Sequence, residues 1–325
     1  MKKLLLSVAA LAAFIGSAQA EKVTLQLKWV TQSQFAGYYV AQEKGYYKAA
    51  GLDVVIKPGG PDINPQQILA AGGADVAVDW MPSALASREK GLNSVNIAQT
   101  FKHSGMMLTC RKETGIKTPV DLKGKTLGVW FFGNEYPFLN WMNKLGLKVD
   151  TDIKVLKQGF NVDPLLQKQA DCVSTMTYNE YHQILEAGVK PEELVVFKYE
   201  DQGVSTLEDG LYVLEDKLKD PAFVTTMAKF VKASMMGWND LAKDPKGAVA
   251  AVLKNDASGS QTEAHQATMV DEVSKLVDGS DGTLDTAAAD RTVATLLSGG
   301  SDPVISKKPQ GAWTDVVMKA AMALK

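Results

Sequence analysis

Aromatic, amide and carboxyl side chains gather at four places where a predicted strand is followed by a predicted helix. In chain order they are Trp29, Gln34, Phe35 and Tyr38; Asp79 and Trp80; Asn134 and Glu135; and Tyr178, Asn179 and Glu180. Rings of this kind stack on flat heteroaromatic compounds, and each good pair contributes roughly 0.5–1.5 kcal/mol beyond its buried area. Amide and carboxyl groups beside the rings hydrogen-bond to amino groups and ring nitrogens. The four groups therefore predict a site for a small planar ligand.

An anionic ligand matches two of these helix starts less well. The N-terminus of a helix favours an anion, but Glu135 and Glu180 already complement the helix dipole there. This favours an uncharged or amino-bearing ligand over a sulfonate. Each residue also has a structural alternative: Trp29 can close a core, Asp79 can cap a helix and Trp80 can anchor a core. We assign the nearby Tyr39, Tyr46 and Tyr47 to packing.

Motifs for catalysis and for nucleotide or metal binding are missing from the sequence. It lacks H-E-x-x-H, G-x-G-x-x-G, G-x-x-x-x-G-K-[ST] and G-x-S-x-G, and its three histidines show no metal-ligand spacing. We therefore expect no catalytic site, no metal and no cofactor. Cys110 and Cys172 lie on two different predicted strands, and an oxidising compartment would permit a disulfide. We expect free buried cysteines.

The N-terminus has the layout of a secretory signal peptide over residues 1–20. Lys2 and Lys3 precede an apolar run, and the small-residue pattern Ala18-Gln19-Ala20 follows it. We therefore expect export to a periplasm. The remaining chain has no uninterrupted apolar run of membrane-spanning length, which predicts a soluble protein. The net charge of −2 and the absence of a basic patch argue against nucleic acid as a partner.

Predicted strands and helices alternate from residue 23 to about residue 218, which indicates an α/β fold with two sheets covered by helices. The predicted architecture has two α/β lobes around a ligand cleft. Residues 21–110 and 205–325 form lobe 1, and residues 111–204 form lobe 2, inserted into the first. From residue 221 onward the apolar residues have helical spacing and are assigned to core.

Three stretches carry a resemblance to a known family: "QFAGYYVAQEKGYYKAAGLDVVI", "GGADVAVDWMPSALASREKG" and "DLKGKTLGVW". They resemble the solute-binding proteins of ABC importers, in the group that includes binders of thiamine-pyrimidine precursors and of alkanesulfonates. The resemblance implies a type II periplasmic binding fold and a monomer that delivers its ligand to an ABC permease and its ATPase. "LKW" and "TYNEY" resemble the thiamine-pyrimidine branch. That likeness implies Trp29 as the stacking residue and Glu135 or Glu180 as the partner of an amino group.

Other ligands remain open within this class, namely riboflavin, a nucleobase or an alkanesulfonate. A sulfonate pocket would present hydroxyls, backbone N–H groups or arginine, and the chain has only Arg88, Arg111 and Arg291. A periplasmic enzyme is the alternative from another class. The eukaryotic enzyme that makes the pyrimidine resembles this chain in fold but carries a cysteine-rich iron-binding motif. The matching stretch here, "DCVSTMTYNE", has one cysteine. We therefore expect a binding protein and not an enzyme.

Overall fold

The structure is a computed structural model that describes residues 20–298 and 303–324. The predicted signal peptide, residues 1–20, lies outside the described residues except for Ala20. Within the described ranges, no helix combines the length and the apolar character that crossing a bilayer requires.

Ten strands form two sheets of five strands each. The first sheet, in the order β2-β1-β3-β10-β4, contains β1 Glu21–Gln26, β2 Leu52–Lys57, β3 Val76–Asp79, β4 Ser94–Gln99 and β10 Gly210–Leu214. The second sheet, in the order β7-β6-β8-β5-β9, contains β5 Met106–Arg111, β6 Thr126–Val129, β7 Lys154–Lys157, β8 Cys172–Met176 and β9 Leu194–Lys198. In each sheet three parallel strands adjoin an antiparallel one, β10 in the first and β5 in the second.

Helices cover the sheets and build much of the C-terminal third. The helices that alternate with strands are α1 Ala36–Glu43, α2 Tyr46–Ala49, α3 Pro65–Ala70, α4 Met81–Glu89, α5 Glu135–Lys144, α6 Asp163–Leu166 and α7 Glu180–Glu186. The later helices are α8 Pro221–Asn239, α9 Pro245–Asn255, α10 Glu263–Val277, α11 Thr286–Leu297 and α12 Val316–Ala323.

Helix α8 packs closely on α1, and this contact depends on two glycines. A Cβ atom on Gly37 would lie 2.1 Å from the Trp238 ring, and one on Gly237 would lie 2.1 Å from the Gly37 carbonyl oxygen. Asp220 is the N-cap residue of α8, and its side chain accepts a hydrogen bond from the Ala222 N–H. Pro221, in the first turn, suits a helix start. Its residues at helical spacing, including Phe230 and Trp238, are buried, so they are core as predicted.

The chain crosses between the sheets twice, at residues 100–105 and 199–209, which gives the two predicted lobes. The predicted boundary after residue 110 is wrong by one strand, because β5 pairs with β8 and β9 of the second sheet. A strand pattern identifies a strand but not its sheet, and β4 and β5 follow each other with only a short connection. Lobe 2 therefore begins near Met106, and lobe 1 resumes at β10.

The expectation of free cysteines is also wrong. Cys110 and Cys172 form a disulfide, and they are paired residues on the antiparallel neighbours β5 and β8. The bond lies inside lobe 2 and both residues are fully buried. Sequence reasoning left the pair undecided and favoured free thiols, because the sequence does not set the separation of two residues on different predicted strands.

Candidate ligand-binding site between the lobes

A cavity lies where the carboxyl ends of parallel strands from both sheets face each other, the position at which open α/β sheets bind ligands. It is bounded by the segments that follow β1, β3, β6 and β8. The residues that line it are Lys28, Trp29, Gln32, Gln34, Trp80, Trp130, Asn134, Met176, Tyr178 and Glu180. The space open to the centre of a water molecule is about 30 Å³. A ring compound therefore enters only when the two lobes, or the side chains between them, move apart.

Tryptophans from both lobes form the walls of this cavity. Trp29 follows β1 in lobe 1 and Trp130 follows β6 in lobe 2; their ring centroids are 6.2 Å apart with the planes inclined at 67°. The Trp80 indole N–H donates to Asp209 at 2.8 Å, and the Trp130 indole N–H donates to the Gly159 carbonyl at 2.8 Å. These bonds hold the rings of Trp80 and Trp130 in place, so neither ring has to be ordered when a ligand binds.

Lys28 places a buried ammonium group in the same wall. Its Nζ donates to Asn134 Oδ1 across the lobes at 2.7 Å and lies 3.7 Å from the centroid of the Trp80 ring. Burial lowers the pKa of Lys28, while the charges of Asp79 and Asp209 oppose that shift. The lysine is thus held by a cation–π contact, a hydrogen bond and two nearby carboxylates.

Three buried carboxyl groups in and around the cavity hold their protons more tightly than usual. Burial raises the pKa of Glu180 to about 7, that of Asp209 to about 6 and that of Glu208 to about 8. Glu180 lines the cavity, and its oxygens accept from the Met176 N–H at 3.0 Å and from the Asn179 amide at 2.8 Å. A carboxyl group that titrates near neutrality can offer a proton to a ring nitrogen and an oxygen to an amino group.

A directed chain of hydrogen bonds crosses the floor of the cavity. Asp209 accepts from Gln34 at 2.9 Å, Gln34 accepts from Gln32 at 2.8 Å, and Gln32 accepts from Asn179 at 3.2 Å. Since a carboxylate only accepts, each amide in the chain has one orientation. Asn179 in turn presents its oxygen to His265 Nε2 at 2.8 Å. The chain joins lobe 1 to lobe 2 directly beside the ligand space.

The structure brings six of the eleven predicted site residues to the cavity wall: Trp29, Gln34, Trp80, Asn134, Tyr178 and Glu180. Asn179 and Asp79 lie one layer behind. Asn179 orients Gln32 and Glu180, and Asp79 accepts from the Trp80 backbone N–H at 2.8 Å and from Gln66 at 2.9 Å. Both positions support the wall instead of forming it.

The other three predicted residues point elsewhere. Phe35 is fully buried in the core, because the short helical turn 33–35 directs its ring away from the cleft. Tyr38 packs edge-on against Trp238 at 5.2 Å and its hydroxyl pairs with Thr100, so it belongs to the core, as Tyr39 and Tyr47 do. Glu135 accepts from the Gly133 N–H at 2.7 Å and lines a groove on the outer side of the cleft.

Sequence reasoning missed four lining residues: Lys28, Gln32, Trp130 and Met176. A signal existed for Trp130, which follows β6 as Trp80 follows β3. Lys28 and Gln32 lie in the same loop as Trp29. The sequence pattern extended the first strand through this loop, and a lysine in such a strand is expected to face solvent. Met176 ends a strand that is buried along its length, and nothing local distinguishes it from core.

Comparison with known proteins identifies the family. A family model described as "NMT1/THI5 like" matches residues 32–248, more than half of the chain. The chain belongs to the NMT1/THI5-like family. A putative thiamine biosynthesis protein of Haemophilus influenzae is 27% identical over 215 residues, which are 64% of this chain and 67% of the relative. A formylaminopyrimidine-binding protein of Halalkalibacterium halodurans is 25% identical over 238 residues, 72% of this chain and 71% of the relative. More distant relatives are named as synthases of a pyrimidine phosphate.

Solved structures confirm the predicted fold. The alkanesulfonate-binding protein SsuA from Xanthomonas axonopodis pv. citri superposes with a TM-score of 0.65, covers 94% of this chain and 99% of its own, and is 14% identical. At that identity the likeness concerns the fold alone. This member of the NMT1/THI5-like family therefore has the two-lobed α/β architecture of type II periplasmic binding proteins.

Proposed function

We propose that this protein is the solute-binding component of an ABC importer, located in the periplasm, and that it carries a small aminopyrimidine of the thiamine-precursor type. Trp29 of lobe 1 and Trp130 of lobe 2, which meet edge to face beside the Glu180 carboxyl group and would separate as the lobes open, are the observation that carries the proposal. A pyrimidine would lie between the indoles, and Glu180 would pair with its amino group and adjacent ring nitrogen.

The composition of the cavity favours a neutral heteroaromatic ligand over an alkanesulfonate. Among the residues that the structure describes, no arginine lines the cavity, and Lys28, the one lysine in its wall, already faces the carboxyl groups of Asp79 and Asp209. A sulfonate placed here would lie close to these acids and to Glu180. The related formylaminopyrimidine-binding protein supports the same ligand class.

Binding and delivery, not catalysis, is the role that the geometry supports. The polar groups of the wall are held in hydrogen bonds that fix their orientation, and the site lies between lobes joined by two crossings. Hinge closure of two lobes around a ligand is a common way to trap it for transfer. The partners of such a protein would be an ABC permease and its ATPase.

Calorimetry on the purified mature chain tests the proposal. The panel contains a hydroxymethyl-aminopyrimidine, a formylaminopyrimidine, riboflavin and an alkanesulfonate. We expect saturable binding of the aminopyrimidines, and a loss of about tenfold or more in Trp29→Ala. Trp29→Phe, which keeps a ring, should lose less. If the protein bound only riboflavin or only the sulfonate, the proposed ligand class would be wrong. If it converted a bound pyrimidine into a product, the proposed role as a binding protein would be wrong.

A further inference from the structure

The ammonium group of Lys28 is buried with most of its hydrogen-bonding capacity unused. The residue is 6% exposed, yet among the described residues its Nζ has one hydrogen-bond acceptor, Asn134 Oδ1. An ammonium group carries three N–H donors. The remaining donors lie in the cavity wall, and a buried charge with unpaired donors gains strongly from any acceptor placed against it.

The charge of Lys28 is already balanced by groups of the protein. Asp79 and Asp209 lie on either side of Trp80: the first accepts from its backbone N–H at 2.8 Å and the second from its indole N–H at 2.8 Å. The Glu135 carboxyl group adds a weaker favourable interaction. A ligand therefore need not bring a negative charge to this place, and an uncharged oxygen is a sufficient acceptor.

The same lysine occupies the position that a cationic ligand would seek. A cation is attracted to the face of a tryptophan, and the face of Trp80 already holds the Lys28 ammonium at 3.7 Å. A second positive charge in this small cavity would meet the first at low effective dielectric, where like charges repel strongly. Beside Trp80 the wall thus combines attraction for an acceptor with repulsion of a cation, and this repulsion acts against the attraction that the Glu180 carboxylate, which also lines the cavity, exerts on a cation.

We propose that Lys28 is a specificity determinant of the site: it donates to an uncharged acceptor oxygen on a planar ring ligand and rejects ligands that carry an ammonium group. This inference rests on the proposed function and narrows its ligand class to rings with a hydroxyl, formyl or lactam oxygen. Tyr178 lines the same cavity.

The Lys28 hydrogen bond explains how the donor becomes available. Because Asn134 belongs to lobe 2 and Lys28 to lobe 1, separation of the lobes breaks the bond between them. The freed ammonium remains on the Trp80 ring, which belongs to its own lobe. A ligand oxygen then takes the place of Asn134 Oδ1 before the lobes close.

A matched pair of ligands tests the inference. The two aminopyrimidines are identical except that one carries a hydroxymethyl group and the other an aminomethyl group, which is protonated at neutral pH. Calorimetry on the wild-type protein should show the hydroxymethyl compound binding about tenfold or more tightly. Lys28→Met should abolish or reverse this preference. Lys22→Met, which removes an exposed lysine of the same strand region, should leave it unchanged.

The outcomes separate this inference from the function it rests on. Wild-type protein that binds the aminomethyl compound as tightly as the other, or more tightly, overturns the role of Lys28 and leaves the proposed function standing. An equal loss of both affinities in a folded Lys28→Met variant also overturns it, since the lysine would then act only as a link between lobes. Binding of no ring compound by the wild type removes the proposed function and this inference together. The wild-type comparison decides even if the variant fails to fold.

Discussion

The Glu180 carboxyl group stands at the start of α7, where its two oxygens accept hydrogen bonds from Met176 and Asn179 and its outer side lines the cavity. Burial raises its pKa to about 7, so near neutrality both protonation states are populated. The neutral form has a proton to give to a ring nitrogen, and the ionised form does not. The protonation of this one group therefore decides how well an aminopyrimidine pairs with the site.

We predict that affinity for the aminopyrimidine falls as the pH rises above about 7, by up to about tenfold per pH unit. In Glu180→Gln the absolute affinity should be lower, because the new NH₂ group faces a hydrogen-bond donor. The dependence on pH through this range should disappear, since the amide does not titrate. Calorimetry from pH 6 to about pH 8.5 measures both. If the affinity of Glu180→Gln still depended on pH in this range, the dependence would belong to another titratable group, such as Asp209 or Lys28.

Trp29, Trp80, Tyr178 and Glu180 could be predicted from sequence because each follows a strand of a parallel arrangement, and such strand ends meet at one edge of a sheet. Phe35 could not be separated from Trp29 in the same way, since five residues of loop and turn lie between them. In a helical turn, a shift of one position along the chain changes whether a side chain points to the cleft or to the core. The position of Lys28 in the cavity wall could not be predicted from sequence. A buried ammonium group is stable only beside carboxylates, and one of these, Asp209, lies far away in the chain.

At the scale of elements, the two crossings between the lobes meet at a buried carboxyl group. Glu208, in the second crossing, accepts from the Ser104 hydroxyl at 2.5 Å and from the Gly105 N–H at 2.9 Å, both in the first crossing. The other Glu208 oxygen has no hydrogen-bond partner in the described part of the chain, and burial raises the pKa of this carboxyl group to about 8. The neutral acid is thus the form that the folded hinge favours.

Since the pKa of Glu208 is higher in the folded state than the ordinary value of 4.5, the folded state keeps a proton that the unfolded chain loses. Its contribution therefore makes stability fall as the pH rises from about 4.5 to about 8, by at most about 1.4 kcal/mol per pH unit. We predict that Glu208→Gln flattens the decrease of the melting temperature over this range. Part of the decrease should remain, because the pKa values of Glu180 and Asp209 are also raised in the folded state.

Glu200→Gln is the matched control for the hinge, because Glu200 also accepts from Ser104, at 3.2 Å, but is exposed to solvent. We expect the pH profile of this control to follow the wild type. Identical profiles for both variants would show that the hinge carboxyl group does not carry the effect.

The disulfide between β5 and β8 stabilises lobe 2 by limiting the unfolded chain. The bond spans a separation of 62 residues, and the chain-entropy estimate for such a loop is about 4 kcal/mol. We predict that the Cys110→Ala, Cys172→Ala double variant loses about 2–4 kcal/mol of unfolding free energy, measured by urea denaturation. Affinity of the remaining folded protein should change little, because neither cysteine lines the cavity. Similar stability of wild type and variant would contradict a formed disulfide.

The alternation of strands and helices was enough to predict two lobes, but not which sheet each strand joins. β4 and β5 are both six residues long and buried along almost all of their length, and they are separated by only a few residues. What assigns β5 to lobe 2 is its antiparallel pairing with β8 and β9, which lie much later in the chain. Long-range pairing of this kind leaves no local signal, and for the same reason the sequence does not show that Cys110 and Cys172 are neighbours.

At the scale of the whole molecule, the lobes touch closely on the outer side of the cleft. Gly133, in the loop before α5 of lobe 2, lies against Ser83 of α4 in lobe 1, and a Cβ atom on Gly133 would be 2.5 Å from Ser83 Cβ. Its φ of 102° is also a conformation that favours glycine. Glycine is therefore required here both by the loop and by the approach of the two lobes.

We predict that Gly133→Ala weakens ligand binding by about tenfold or more, because an added methyl group in a tight contact costs about 1–3 kcal/mol and here opposes closure of the lobes. Gly124→Ala is the control: Gly124 also has a positive φ, 80°, in lobe 2, but its Cβ would have no neighbour within 4 Å. Both variants should lose about 1–2 kcal/mol of unfolding free energy from backbone strain, and only Gly133→Ala should lose affinity. Calorimetry and urea denaturation separate the two effects. Equal affinity losses in both variants would mean that the Gly133–Ser83 contact does not limit closure.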